Sequence, residues 1–212
     1  MKPDNPPKKH HYIPQFLLEQ WTIGGKLYRY TQPIPGKISR YHKPAKATGF
    51  QERLYQIPNL PDNLAQKVET EVMKPIDDLA ADALKKLLTK EGFSNLTNDN
   101  RTAWATFIQA IALRTPDSFS AYKTALAATY ASDRECCEAQ AEYKKTKRPD
   151  DPDTYSEYLA INAPATLEQE PFYVLSDVIQ NKELGQYIVN MCWNILEISN
   201  GSFLLSDEPL LM

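Results

Sequence analysis

From Asn63 to about Cys192 the apolar residues recur at helical spacing, and this period limits the chain to a mainly helical fold. Ile76, Leu79, Ala80, Ala83, Leu84 and Leu87 share one face of a pattern running from Asn63 to about Lys90. Pro75 lies inside that pattern. It lacks an N–H, so it predicts a kink or a break. A second helix starts at Thr97, a suitable N-cap. It carries Trp104, Phe107, Ile108 and Ile111 as its apolar stripe and meets Pro116. Residues 117–146 continue helical, and "KKTKRPDDPD" reads as a surface loop. Two or three further helices complete the body.

The two ends have a different texture. Pro14 can open a short helix over "PQFLLEQW", with Ile13 extended before it. Residues 26–31 and 37–42 read as strands joined by a Pro-Gly turn. Near the other end, "WNILEISNGSFLLSDEP" is two apolar runs around Asn200-Gly201, a strong hairpin signal. The predicted fold is therefore mainly α (α+β): a helical body with a β-hairpin near each end, the two hairpins meeting in one small sheet. Residues 1–9 read as a disordered leader and 10–212 as a single mostly helical domain.

Apolar residues make up 42% of the 212 residues, enough for a core. The net charge of -3 argues against a dedicated nucleic-acid coat. Yet Lys8, Lys9, Lys37, Arg40, Lys43 and Lys46 give the first fifty residues a basic bias. The three cysteines, Cys136, Cys137 and Cys192, form no CxxC pair, and a reduced cytoplasmic setting fits them. Cys136 and Cys137 read as structural or incidental. No stretch of 18 apolar residues exists, so no membrane is expected as a partner.

Four stretches, "HHYIPQFLLEQW", "AKATGFQERLYQIP", "FIQAIALRTP" and "WNILEISNGSFLLSDEP", occur in an order that resembles the bacterial family called domain of unknown function 4238. The resemblance covers roughly residues 8–118 and 186–210. It implies a site around the His-His opening, the Arg-Thr-Pro and the Ser-Asp-x-Pro, and no particular reaction. Where that family tends to carry two glutamates on its long helix, this chain has Glu69 and Asp77. The family also tends to run on past the last motif, so the chain reads as a truncated or split version ending at Met212.

The candidate catalytic residues are His10, His11, Gln15, Arg114 and Asp207. Two of the three histidines are adjacent, and in an extended segment they face opposite ways, so one of them readily faces a given site. Imidazole suits proton transfer or metal ligation; the plainer role is a hydrogen bond to the backbone. Arg114 follows Ile111 on an apolar face, so it must be paired with a carboxylate or line a polar pocket. Glu69, Asp77 and Asp207 are its candidate partners. In a continuous helix Glu69 and Asp77 would stand ~12 Å apart in rise and ~80° apart in angle. Asp207 ends the last predicted strand, beside Ser206. His11, Glu69 and Asp207 are the candidate ligands of a divalent metal, the cofactor this donor set could hold.

Two readings follow. One is a hydrolase or nuclease-like enzyme, metal-dependent or not, acting on a phosphate-containing substrate such as a nucleic acid or nucleotide. It requires an open pocket holding a His and an acid. The other is a non-catalytic module that binds a protein partner, as in a toxin, phage-defence or regulatory setting. It requires the same groups to be occluded and mutually satisfied.

Overall fold

The computed structural model describes residues 7–131 and 137–210. Residues 1–6 of the expected leader, Cys136 and the Cys137 side chain lie outside the described residues. The chain opens with strand β1 (Lys9–His11), helix α1 (Gln15–Leu18) and a 3-10 turn (Glu19–Trp21). The hairpin β2 (Leu27–Ile34) and β3 (Lys37–Lys43) follows, then a 3-10 turn (Ala45–Ala47) and β4 (Phe50–Glu52). Helix α2 (Asp62–Ala65) precedes a π-helical segment (Val68–Met73) that runs directly into α3 (Lys74–Leu87). After a 3-10 turn (Gly92–Asn95) come α4 (Asn98–Arg114), α5 (Pro116–Ala131), α6 (Cys137–Thr146), α7 (Tyr155–Asn162), α8 (Pro164–Ile179) and α9 (Lys182–Asn190).

Local chemistry accounts for the helix boundaries. Thr97 and Asn100 form a reciprocal capping box at the start of α4. Thr154 and Glu157 do the same for α7. Pro75 neither breaks nor ends its helix. It sits in the first turn of α3, where a missing N–H costs least, and the irregularity falls on the preceding turn, which widens to π geometry. The core gathers Ile76 and Ala80 of α3, Phe107, Ala110 and Ile111 of α4, Phe119 of α5, and Phe172 and Leu175 of α8. Leu79, expected inward, is exposed.

The first hairpin forms as expected, with Tyr28 opposite His42 and Tyr30 opposite Arg40. The second does not: residues 192–210 contain no strand, and Asn200-Gly201 makes only a bend. A lone two-stranded hairpin is marginal in water, and here Leu196 and Leu204 stay 80% and 87% exposed, so no buried face rewards pairing. The expected joint sheet of two hairpins is therefore replaced by a different pairing. β1 joins β4 antiparallel, with His10 opposite Gln51 and His11 opposite Phe50. The backbone of Pro7 to Lys9 is also engaged: the Lys8 carbonyl accepts from Arg53 N–H at 2.8 Å.

Gly49 makes this second sheet reachable. Its φ is +65°, and its carbonyl accepts from Ile13 N–H at 3.1 Å. A Cβ there would lie 3.0 Å from Leu18 Cδ1 and 3.1 Å from Ile13 Cβ. Gly49→Ala should therefore cost about 2 kcal/mol or more, from the left-handed backbone and the crowding together. A urea melt checks this, and an unchanged midpoint would contradict the assigned role of Gly49.

Candidate functional site

Arg114 ends α4 and is fully buried. Helical phase puts it on the face of Phe107 and Ile111, so its charge needs partners inside the protein. Its fork meets Asp77 of α3 at 2.6 Å (Nη1–Oδ1) and 3.1 Å (Nη2–Oδ2). Nη2 also donates to the His11 carbonyl at 2.8 Å, and the Tyr55 hydroxyl donates to the Arg114 carbonyl. Burial opposes the guanidinium charge, but Asp77, Tyr55 and Glu69 outweigh it and hold Arg114 above its ordinary value. Burial is also the largest influence on Asp77 and raises its carboxyl, with Arg114 pulling the other way.

His10 is fully occluded. Its Nδ1 accepts from Tyr55 N–H at 2.9 Å, so its Nε2 carries the proton. Nε2 donates to Gln66 Oε1 at 2.6 Å and to the Pro7 carbonyl at 3.1 Å. Burial lowers its pKa against the help of those two bonds, which keeps the ring neutral. His10 is a fastener between β1, the Tyr55 segment and Gln66.

His11, one step along the strand, faces the other way. It lines a cleft of about 280 Å³ with Gln15, Phe16, Glu69, Lys74 and Asp77. An adjoining lobe of about 720 Å³ shares His11, Gln15 and Glu69 and adds Lys8, Lys9 and Lys46. His11 Nε2 and Glu69 Oε2 are both buried without a hydrogen-bond partner among the described residues. Burial, then the Arg114 charge, lowers His11 to about 4, with the Lys46 backbone opposing. Burial raises Glu69 to about 7; Arg114 lowers it and Asp77 raises it. Near pH 6 the cleft thus presents a neutral imidazole and a neutral carboxylic acid.

The π-helical segment explains how Glu69 reaches this place. A turn closed by i→i+5 bonds takes more residues than an α-turn, so side chains advance by a smaller angle. Over the eight residues from Glu69 to Asp77 this cancels much of the offset expected of a regular helix, and both carboxylates feel Arg114.

Of the residues singled out from the sequence, His11, Gln15 and Glu69 share the cleft. Arg114 stands behind it and His10 beneath it. Asp207 is elsewhere: it lines a separate cavity of about 860 Å³ with Tyr12, Trp21, Tyr28 and Phe203, and it bonds Ser206. The ligand trio His11, Glu69 and Asp207 is thus not assembled. Among the described residues no group of three or more His, Cys, Asp or Glu side chains is placed to hold a metal ion. Asp207 was expected near the histidines through a joint sheet of hairpins, and that sheet does not form. Tyr55 and Gln66 went unnoticed in the sequence. Tyr55 lies within "AKATGFQERLYQIP", but nothing in its local pattern signals that it links His10 to Arg114.

The family profile described as protein of unknown function (DUF4238) matches residues 9–212. The chain belongs to this family. Comparisons with curated proteins and with solved structures found no match. The DUF4238 description states no activity. No helix among the described residues is long and apolar enough to cross a membrane.

Two outcomes follow for this DUF4238 chain. Arg114→Ala should destabilise by about 3–5 kcal/mol, since Asp77 would lose its partner in a largely dry site, and a denaturant melt measures this. The second concerns pH. Glu69 has a raised pKa, so its contribution to stability declines as pH rises from 4.5 to about 7. His11 has a lowered pKa, so its contribution declines as pH falls from 6.5 to about 4. The two slopes oppose each other across the shared window. Glu69→Gln removes the first, so it should gain on the parent as pH rises, by up to about 3 kcal/mol at pH 8. Melts of both proteins at pH 4.5 and 8 test it; a difference that does not depend on pH would remove Glu69 from the buried carboxyls.

Proposed function

We propose that the cleft is the active site of a hydrolase that cleaves a phosphate ester by general acid–base chemistry. The supporting observation is the pair that lines one cleft, His11 Nε2 and Glu69 Oε2, both unpartnered and both neutral over the same pH range. An acid and a base whose environments push their pKa values in opposite directions are suited to divided roles. His11 Nε2 takes a proton from water as the water oxygen attacks phosphorus. The P–O bond to the leaving group breaks, and Glu69 gives its proton to the departing oxygen. Both groups then return to their starting states through solvent. Lys8, Lys9 and Lys46 line the adjoining lobe, and among the described residues none has a carboxylate at ion-pair distance. They suit the non-bridging oxygens of a phosphate. Gln15 is placed to orient the ester or the water.

His10 and Arg114 enter this chemistry as positioning residues. Their groups are engaged inside the protein, as the non-catalytic reading would require of the whole cluster. The unpartnered pair at His11 and Glu69, both residues lining the cleft, favours the enzyme. Cys192 is a free, exposed thiol, which suits the cytoplasm as the working compartment.

The test is turnover of bis(4-nitrophenyl) phosphate and of 4-nitrophenyl phosphate across pH 3–9. The rate should follow a bell with limbs near pH 4 and pH 7, the first from His11 and the second from Glu69. Glu69→Gln should lower the rate about 100-fold or more and remove the upper limb. No turnover of either ester, or a fully active Glu69→Gln, would overturn the reading.

A further inference from the structure

In a chain of net charge -3, residues 20–51 hold six Lys or Arg and no Asp or Glu. Nearly all of that charge sits on or beside the β2–β3 hairpin. The hairpin is also unusual in what it leaves in water. Leu27 is its one buried residue, while Tyr28, Tyr30 and Tyr41 are 45%, 54% and 48% exposed. Core packing therefore does not account for these rings.

Their arrangement is ordered. Directly opposed residues share a face, so Tyr28 and Tyr30 stand with His42 and Arg40 on one side of the ribbon. Tyr28 and His42 meet edge to face, with centroids 4.3 Å apart, and the Arg40 guanidinium lies 5.6 Å from the Tyr28 ring centre. Alternate strand positions set the two tyrosines about 7 Å apart, each ring open to solvent. The Arg29–Tyr41 pair occupies the opposite face, and Arg29 shares with Asp207 an influence on Tyr12. Tyr28 and Tyr30 also border the cavity that Asp207 lines, so one edge of the ribbon face meets an acid while Arg40 and His42 supply its cations.

We propose that this hairpin face binds single-stranded nucleic acid. Flat rings interleaved with a guanidinium and an imidazole suit successive unpaired bases, which stack without regard to sequence while the cations take phosphates. A duplex hides its base faces and cannot use the rings. Lys43 closes β3, and Lys46, three residues on, belongs to the lysine wall of the cleft. A strand bound on the hairpin is therefore led toward His11 and Glu69. As the substrate of the cleft, nucleic acid rests on the hydrolase reading; as a ligand of the hairpin, it does not.

The experiment is fluorescence anisotropy of the full chain carrying Glu69→Gln, titrated into labelled dT15, rU15 and a 15-base-pair duplex. Both single strands should bind, with affinity falling steeply as salt rises, and the duplex should bind at least 10-fold more weakly. The double substitution Tyr28→Ala with Tyr30→Ala should weaken binding about 30-fold, while Tyr28→Phe with Tyr30→Phe should stay within 3-fold. If circular dichroism shows the alanine pair misfolded, Arg40→Glu decides, with an expected loss of at least 10-fold. Equal affinity for duplex and single strands, or equal loss for the alanine and phenylalanine pairs, would overturn the proposal. So would binding to phosphatidylserine vesicles with none to the oligonucleotides. Binding is read without turnover, so its failure leaves the acid–base cleft standing, and an inert cleft leaves the hairpin standing.

Discussion

A guanidinium with no access to water dictates the arrangement of this protein. Arg114 is carried into the interior by the phase of α4, and once there its charge must be matched or the fold fails. The match comes from two other parts of the chain, the Asp77 carboxylate of α3 and the His11 carbonyl of β1. The N-terminal strand is thereby tied to a helix pair more than sixty residues away. Everything at the cleft inherits its position from that tie. With the His11 carbonyl turned in toward Arg114, the strand's alternation places His10 in the interior and leaves His11 along the cleft. The adjacent histidines are not a pair of equivalents: one is a fastener and the other lines the cleft.

The same tie sets the electrostatics. The Arg114 charge acts on both neighbours in the direction of fewer protons, lowering His11 and lowering Glu69. Burial acts oppositely on the two, because it disfavours whichever form is charged. For His11 the two influences add; for Glu69 they compete and burial wins. Burial thus reverses the usual order of an acid and a base whose reference pKa values lie only two units apart, with Arg114 aiding the shift at His11 and opposing it at Glu69.

The sequence period and composition disclosed the helical body, the first hairpin, the Thr97 cap and the need for a partner at Arg114, because each depends on neighbours within one or two turns. The expected C-terminal hairpin is absent from residues 192–210 because Asn200-Gly201 reports only that a turn is permitted. Whether strands pair depends on a face to bury, and Leu196 and Leu204 have none. Asp207 lines a different cavity for the same reason, since its expected proximity to the histidines depends on that hairpin. The ~80° offset between Glu69 and Asp77 holds for a regular helix, and the π-helical segment departs from one. Pro75 was visible, but whether a proline bends a helix, ends it or shifts its strain into a π-turn is decided by the packing around it.

The unpartnered atoms of the cleft carry a physical meaning of their own. A buried carboxyl oxygen or ring nitrogen left without a partner costs stability, and natural interiors contain few. Glu69 Oε2, His11 Nε2 and Arg114 Nε are three such atoms within one cluster. A mutation toward an apolar or permanently neutral side chain at Glu69 would relieve part of that cost, so a fold shaped by stability alone has an easy route away from it. The neighbouring atoms show that the chain can satisfy such groups: both nitrogens of His10, one residue away, are fully engaged. The contrast between adjacent histidines in the same strand, one with both nitrogens bonded and one with a bare nitrogen beside a cleft, supports the proposal that the cleft takes a ligand.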